Sequence, residues 1–107
     1  MLKVEKEKAT LIAQTIEPLV AMSHFLGLDE DIKPLASETA KHDQIAGLSI
    51  VIKGRIIWRK QGLDKADYIR ITYPVTNPVG NEAIGSINIA YTKDSLKKSL
   101  QQIQNQI

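Results

Sequence analysis

Cysteine is absent from the 107 residues. That excludes disulfide frameworks, thiol nucleophiles, iron–sulfur ligation, c-type haem attachment and cysteine-based zinc sites, while leaving the compartment open. Long hydrophobic runs are absent too. No stretch of 18 or more apolar residues occurs, so nothing in this sequence reads as a membrane-spanning helix. The start, Met1 to Lys8, is charged where a signal peptide would carry its apolar core, so no leader is expected there. Neither sign of charge dominates. The 14 basic and 12 acidic residues give a formal net charge of +2, too balanced for a dedicated nucleic-acid binder. Aromatic residues are only 5% of the chain, and the strand segments carry no basic–aromatic platform for single-stranded RNA. His24 and His42 stand in different segments without HxxxH or HExxH spacing, so no metal site is expected. No GxSxG, P-loop or GxGxxG motif occurs. No catalytic residue and no cofactor is therefore assigned, and the chain is read as a non-enzyme.

What is present is one globular domain, residues 1–107, with 43% hydrophobic and 24% charged residues, which excludes disordered and fibrous classes. Ala9, Ile12, Ile16, Leu19, Ser23 and Leu26 recur at spacings of three and four, the mark of a long helix with a heptad-like seam. Leu11, Thr15, Met22 and Phe25 widen the apolar stripe. Pro18 removes a backbone donor and predicts a kink or bulge near residues 14–18. Gly27 is the expected C-terminal stop. A shorter second helix follows, capped by Asp29 or Asp31, with Pro34 in its first turn and Ile32, Leu35, Ala36, Thr39 and Ala40 facing inward. The Asp29-Glu30-Asp31 cluster is explained by this helix start.

From Ile45 the period changes to two. Leu48, Ile50 and Ile52 alternate with Ser49 and Val51, and Lys53-Gly54 is a hairpin signal leading to a return strand at Ile56–Trp58. A loop from Gln61 to Ala66 precedes a third strand, Tyr68 to Val75, and the stretch from Gln61 to Asp67 is the natural lid over the polar sheet face. Asn77 to Asn81 is a turn cluster, and Ala83 to Thr92 is the fourth strand. Pro74 and Gly85 are expected to mark an edge or a bulge. Thr92 or Asp94 would cap a final helix with Leu96, Leu100, Ile103 and Ile107 on one seam. The fold class is α+β: a hairpin-connected antiparallel sheet, a long N-terminal helix on one face, a short second helix and a C-terminal exit helix.

Alternation sends Ser49, Arg70, Thr72, Ser86 and Asn88 to the face opposite the first helix. Arg70 offers a bidentate fork for a carboxylate. Ser86 and Asn88 would complete a small-anion patch, with Trp58 or Tyr68 as a wall; the plain alternative is a wetted sheet face. The first-helix seam either covers the sheet or pairs two copies in a parallel homodimer burying Ile12, Ile16, Leu19 and Leu26.

The stretch from Ile45 to Trp58, the phrase Ile71-Thr72-Tyr73-Pro74-Val75, the stretch from Gly80 to Tyr91 and the following Leu96 together resemble the extracytoplasmic PAS-like sensor domains, of single-Cache type, found in bacterial membrane receptors. The resemblance covers nearly the whole chain. It implies a PAS-like sheet with the ligand side opposite the long helix. It also implies flanking transmembrane helices outside this fragment, with the membrane contacted only through them. The implied role is sensing outside the cytoplasmic membrane for a histidine kinase, diguanylate cyclase or chemoreceptor output. The connection between the second and third strands is shorter than in ligand-binding members, and no ligand residue is carried over from the family. A cytoplasmic roadblock- or profilin-like interaction module is the alternative, since it also sets helices against a small antiparallel sheet.

Overall fold

The computed structural model describes residues 2–60 and 68–92. Helix α1 spans Leu2–Phe25, a single 3-10 turn covers Asp29–Asp31, and helix α2 spans Ile32–Ala40. Four strands follow: β1 (Ile45–Ile52), β2 (Arg55–Lys60), β3 (Tyr68–Thr76) and β4 (Ala83–Thr92). They form one antiparallel sheet in the order β2-β1-β4-β3, so β1 and β4 are central and β2 and β3 are edges. The fold is α+β. The expected exit helix and the expected lid at Gln61–Asp67 lie outside the described residues, apart from Thr92, which ends β4.

Paired residues share a side of a sheet, and this fixes the two faces. Leu48 pairs with Ile89, Ile50 with Ile87, and Ile89 in turn with Ile71. These side chains are buried with Ile52, Val75 and Tyr91 beneath the helices. α1 lies over β3 and β4 through Ala9, Ala13, Ile16 and Val20; α2 lies over β1 and β2 through Ile32, Ala36 and Ala40. Each large aliphatic side chain buried here contributes about 1.5–3 kcal/mol. The alanines let the helix backbones approach the sheet closely.

The inward stripe of α1 differs from the seam expected from heptad spacing. Ile16 is core and Ile12 is packed partly against it, whereas Leu19 and Leu26 are 54% and 59% exposed. At 100° per residue, Leu19 and Leu26 are turned well away from the line through Ala9, Ala13, Ile16 and Val20. α1 is apolar over much of its circumference, so hydrophobicity alone does not select the packed side; the small residues do. Pro18 does not end the helix, which runs from Leu2 to Phe25 with Pro18 inside it. Pro18 is exposed, so the Gln14 carbonyl that loses its donor is left to water.

The turns behave as their residues require. At the end of α1 the Leu28 amide donates to the Ser23 carbonyl (2.7 Å) and the Gly27 amide to the His24 carbonyl (3.0 Å), with Gly27 at φ +73°. This is the Schellman arrangement. No carboxylate caps α2. Asp29 instead accepts from His24 Nδ1 at 2.9 Å, tying the end of α1 to the turn that follows. Lys53 and Gly54 both take positive φ (51° and 77°), the two-residue hairpin geometry. Pro74 lies on edge strand β3. Gly85 lies on central β4, opposite Ile52 on one side and Val75 on the other, beside a register shift at Val75/Thr76.

The layout defines two poles. α1 runs parallel to β1 and β3, so its first turns lie beside the start of β1 and the end of β4. There Ile45 pairs with Tyr91, and the Thr92 amide donates to the Gln44 carbonyl at 2.8 Å. At the opposite pole His24 and Phe25 meet Lys53, Asn77, Pro78 and Ile84 around a cleft of about 220 Å³.

Candidate functional site

The sheet face away from the helices carries a polar row. Ser49 of β1, Asn88 of β4 and Thr72 of β3 are directly opposite one another. Thr72 Oγ1 donates to Asn88 Oδ1 at 2.9 Å. The amide nitrogen of Asn88 donates to Ser86 Oγ at 3.1 Å and to Ser49 Oγ at 3.3 Å. One central side chain thus ties β1, β4 and β3 together.

Beside this row lies a hollow of about 450 Å³, with Ser49, Thr72, Asn88, Arg59 and Arg70 among its lining. Its floor is shallow-sided because Gly47 and Ala90, paired across β1 and β4, present almost no side chain. Arg70 pairs with Ala90 on one side, and Arg59 pairs with Ser49 on the other. Both arginines are exposed. Lys60 reaches the other way: its ammonium donates to the carbonyls of Ala40 (3.0 Å) and Ile45 (3.1 Å), holding the end of α2 against β1.

Of the four ligand residues expected from the sequence, Arg70, Ser86 and Asn88 share this face. Trp58 does not. It pairs with Ile50 and packs against the core. The reason is a bulge. Counting back from the Lys53-Gly54 turn, an unbroken ladder would set Trp58 opposite Ser49 on the outer face. The register shifts between Ile50 and Val51, with Ile57 as the extra residue, and one inserted residue reverses every side chain beyond it. The same shift delivers Arg59 to the outer face, at the place opposite Ser49 that an unbroken ladder gives to Trp58. Tyr68, two residues from Arg70 along β3, keeps its place on that side.

A second polar cluster sits at the proximal pole, where α1 begins and β4 ends. Tyr91 is buried, and its hydroxyl donates to Gln44 Oε1. Burial pushes the phenol above its ordinary value near 10, and the Glu5 carboxylate pushes it in the same direction. Glu5 is itself buried, at 8% exposure. The His42 ring stands 6.1 Å from that of Tyr91, and His42 Nδ1 accepts from the Gln44 amide at 3.2 Å. His24 is paired with Asp29 at the other end of α1. Among the described residues no three His, Asp or Glu side chains gather where a metal could sit, and no helix is long and apolar enough to cross a membrane.

No protein-family model matches this chain, and no curated protein matches it either.

Proposed function

We propose that this domain is the extracytoplasmic sensor of a bacterial signal-transduction receptor, acting without catalysis by coupling its first helix to its last strand. The observation that carries the reading is the meeting of α1 and β4 at one pole. Tyr91, the penultimate residue of β4, is buried at that pole and lies within electrostatic reach of Glu5 in α1. β4 is a central strand, bonded to β1 on one side and β3 on the other. A change on the outer sheet face therefore acts on the strand that leads to this junction, and segments continuing from both ends would leave the domain side by side. That arrangement suits a two-state displacement of one rod against another.

The partner in this reading is a second copy, arranged parallel so that both proximal poles point the same way. Leu11, Leu19, Met22 and Phe25 of α1 and Leu26 just beyond it are 46–61% exposed, a run of large apolar side chains of the kind that marks an interaction surface. The stripe continues into a groove of about 510 Å³ between α1 and α2, floored by Ile12, Ile16 and Ile45. This pairing keeps Leu19 and Leu26 from the seam expected by sequence, with Ile12 at the floor of the groove and Ile16 in the core.

The test uses the absence of cysteine. A single Glu82→Cys substitution in the exposed turn before β4 gives the domain one thiol. In intact cells producing the parent receptor, a membrane-impermeant maleimide is expected to label it before lysis. Labelling only after lysis would place the domain inside the cell and overturn the reading.

A further inference from the structure

We infer that the outer edge of β3 takes up an extended segment of a partner protein as a fifth, antiparallel strand, with an acidic residue of that segment opposite Arg70. This goes beyond the receptor reading and does not depend on it.

The two edges of the sheet are built differently. β2 is short, at 6 residues, and carries Arg55, Arg59 and Lys60. Its ladder with β1 is broken by the shift between Ile50 and Val51. Exposed cations and a bulge are how an edge strand is kept from pairing further. β3 has 9 residues and keeps one register with β4 from Tyr68 to Val75. Its residues are mostly β-branched and aromatic, with a single charge at Arg70. No described residue pairs with its outer edge. A long, straight, weakly charged edge is a template for strand addition.

The hydrogen-bond phase fixes which groups of β3 are free. The Lys53 amide donates to the Ile84 carbonyl at 2.8 Å. Bonded and non-bonded pairs alternate along an antiparallel ladder. Counting on from Lys53 and Ile84, the bonded pairs of β1 and β4 are Val51 with Ser86 and Ser49 with Asn88. The intervening residues of β4, Gly85, Ile87 and Ile89, therefore turn their backbone groups toward β3, where they meet Val75, Tyr73 and Ile71. Tyr68, Arg70, Thr72 and Pro74 point theirs outward. Pro74, with no amide hydrogen, falls in the one phase where that loss breaks nothing in the ladder. Tyr68, Arg70 and Thr72 keep their donors for a further strand, and Pro74 marks where it stops.

Charge selects the occupant. When β3 is set against β3 about a two-fold axis at Arg70 or Ile71, the registers in which Tyr68, Arg70 and Thr72 all bond within Tyr68–Pro74, the two arginines stand directly opposite or diagonal on one face. Like charges so placed are destabilising, and an acid opposite Arg70 reverses the sign. The Arg70 guanidinium makes no ion pair or hydrogen bond with any described residue. On the helix side of β3, Ile69 and Tyr73 are half-buried beside buried Ile71, so the neighbours of the acid meet apolar surface. The segment that fits alternates apolar, acidic, apolar.

The experiment reads fluorescence anisotropy of the labelled peptide Thr-Ile-Glu-Ile-Thr against the chain. Thr-Ile-Lys-Ile-Thr and the first peptide methylated on its glutamate amide nitrogen are the comparisons. The glutamate peptide is expected to bind saturably, and the lysine peptide about fivefold more weakly or worse, as attraction gives way to repulsion opposite Arg70. Methylation removes the donor that faces the Arg70 carbonyl and should abolish binding. Arg70→Glu should invert the order of the two peptides, whereas Arg55→Glu, on the other edge, should leave both affinities unchanged. Arg70 is exposed, and an unchanged thermal melt confirms that Arg70→Glu folds. Amide exchange followed by NMR gives the second readout. In the free chain the Arg70 and Thr72 amides should exchange fast and those of Ile71 and Tyr73 slowly, and the glutamate peptide should slow the first pair. Four outcomes overturn the inference: no anisotropy change at millimolar chain, a methylated peptide that binds as tightly as its parent, a peptide order unchanged in Arg70→Glu, or slow exchange of the Arg70 and Thr72 amides in the free chain, which would mean that the edge is already paired. None of these bears on the labelling of Glu82→Cys, so failure here and failure of the receptor reading are separable.

Discussion

The phenol of Tyr91, at the end of β4, is held in its neutral form by burial and by the carboxylate of Glu5 near the start of α1. The two residues are far apart in sequence and belong to the elements that would link the domain to anything beyond it.

That coupling has a pH signature. The folded-state pKa of Tyr91 is raised, so the native state keeps its proton after the unfolded chain has lost it. The associated stability is complete below pH 10 and declines as pH rises from the unfolded value through the folded one. Melting temperature measured at several pH values from 8 to 11 should therefore fall more steeply for the unsubstituted chain than for Tyr91→Phe. Tyr91→Phe also loses the hydroxyl bond to Gln44, which costs about 1 kcal/mol at neutral pH. Parallel pH slopes for the two proteins would rule out the Tyr91 contribution.

Gly85 is fixed by close approach rather than by dihedral freedom. A Cβ at this position would stand 2.0 Å from the Val51 carbonyl oxygen and 2.9 Å from Ile52 Cα. Backbone cannot swing aside as a side-chain tip can, so β1 and β4 would have to separate. Gly85→Ala is expected to cost about 3 kcal/mol or more by urea denaturation, a large part of the stability of a domain this size. Gly54→Ala meets nothing within 4 Å and strains only its positive φ, so about 1 kcal/mol is expected there.

These positions also mark how far the sequence could be read. Two-residue alternation placed Ser49, Arg70, Thr72, Ser86 and Asn88 on one face because each stands on a strand whose register with β4 is regular across this stretch. The Lys53-Gly54 hairpin and the Gly27 stop were legible because few residues tolerate their φ. Trp58 and Arg59 were not. Their sides depend on one extra residue at Ile57, and nothing in Arg55–Lys60 distinguishes a bulged ladder from a straight one. The packed side of α1 was equally hidden, since leucine and alanine are both apolar and only contact with the sheet favours the smaller. Local capping rules offer Asp29 or Asp31 as a cap and do not look back to the preceding helix, where His24, the partner of Asp29, lies.

Asn88 makes the central cross-strand contacts of the polar row, and its loss should loosen the outer face without disturbing the core. Asn88→Ala removes three hydrogen bonds, but the partners Ser49, Ser86 and Thr72 can turn to water. A cost of about 1–2 kcal/mol is expected in chemical denaturation. Amide exchange should quicken in edge strand β3, whose side-chain tie to the sheet is lost, more than in β1. Uniform quickening across all four strands would assign Asn88 a core role instead.

The two sides of α1 should respond oppositely to substitution. Ile16 is 5% exposed and surrounded by the core, so Ile16→Ala opens a cavity and is expected to cost about 2–5 kcal/mol. Leu19, one turn on, is 54% exposed. Leu19→Glu adds a charge to solvated surface and should leave the unfolding free energy of an isolated copy within about 0.5 kcal/mol. In a dimer paired through the outer stripe it would bury two unpaired carboxylates near the symmetry axis, an arrangement that costs several kcal/mol. Sedimentation equilibrium should then give a dimer for the unsubstituted chain and a monomer for Leu19→Glu, with the Ile16→Ala protein still dimeric wherever it remains folded. The result that separates the two faces is a Leu19→Glu protein that melts as the monomer does at high dilution yet no longer associates. If Leu19→Glu stays dimeric, neither the outer stripe nor the seam expected from heptad spacing, which share Leu19, is the interface.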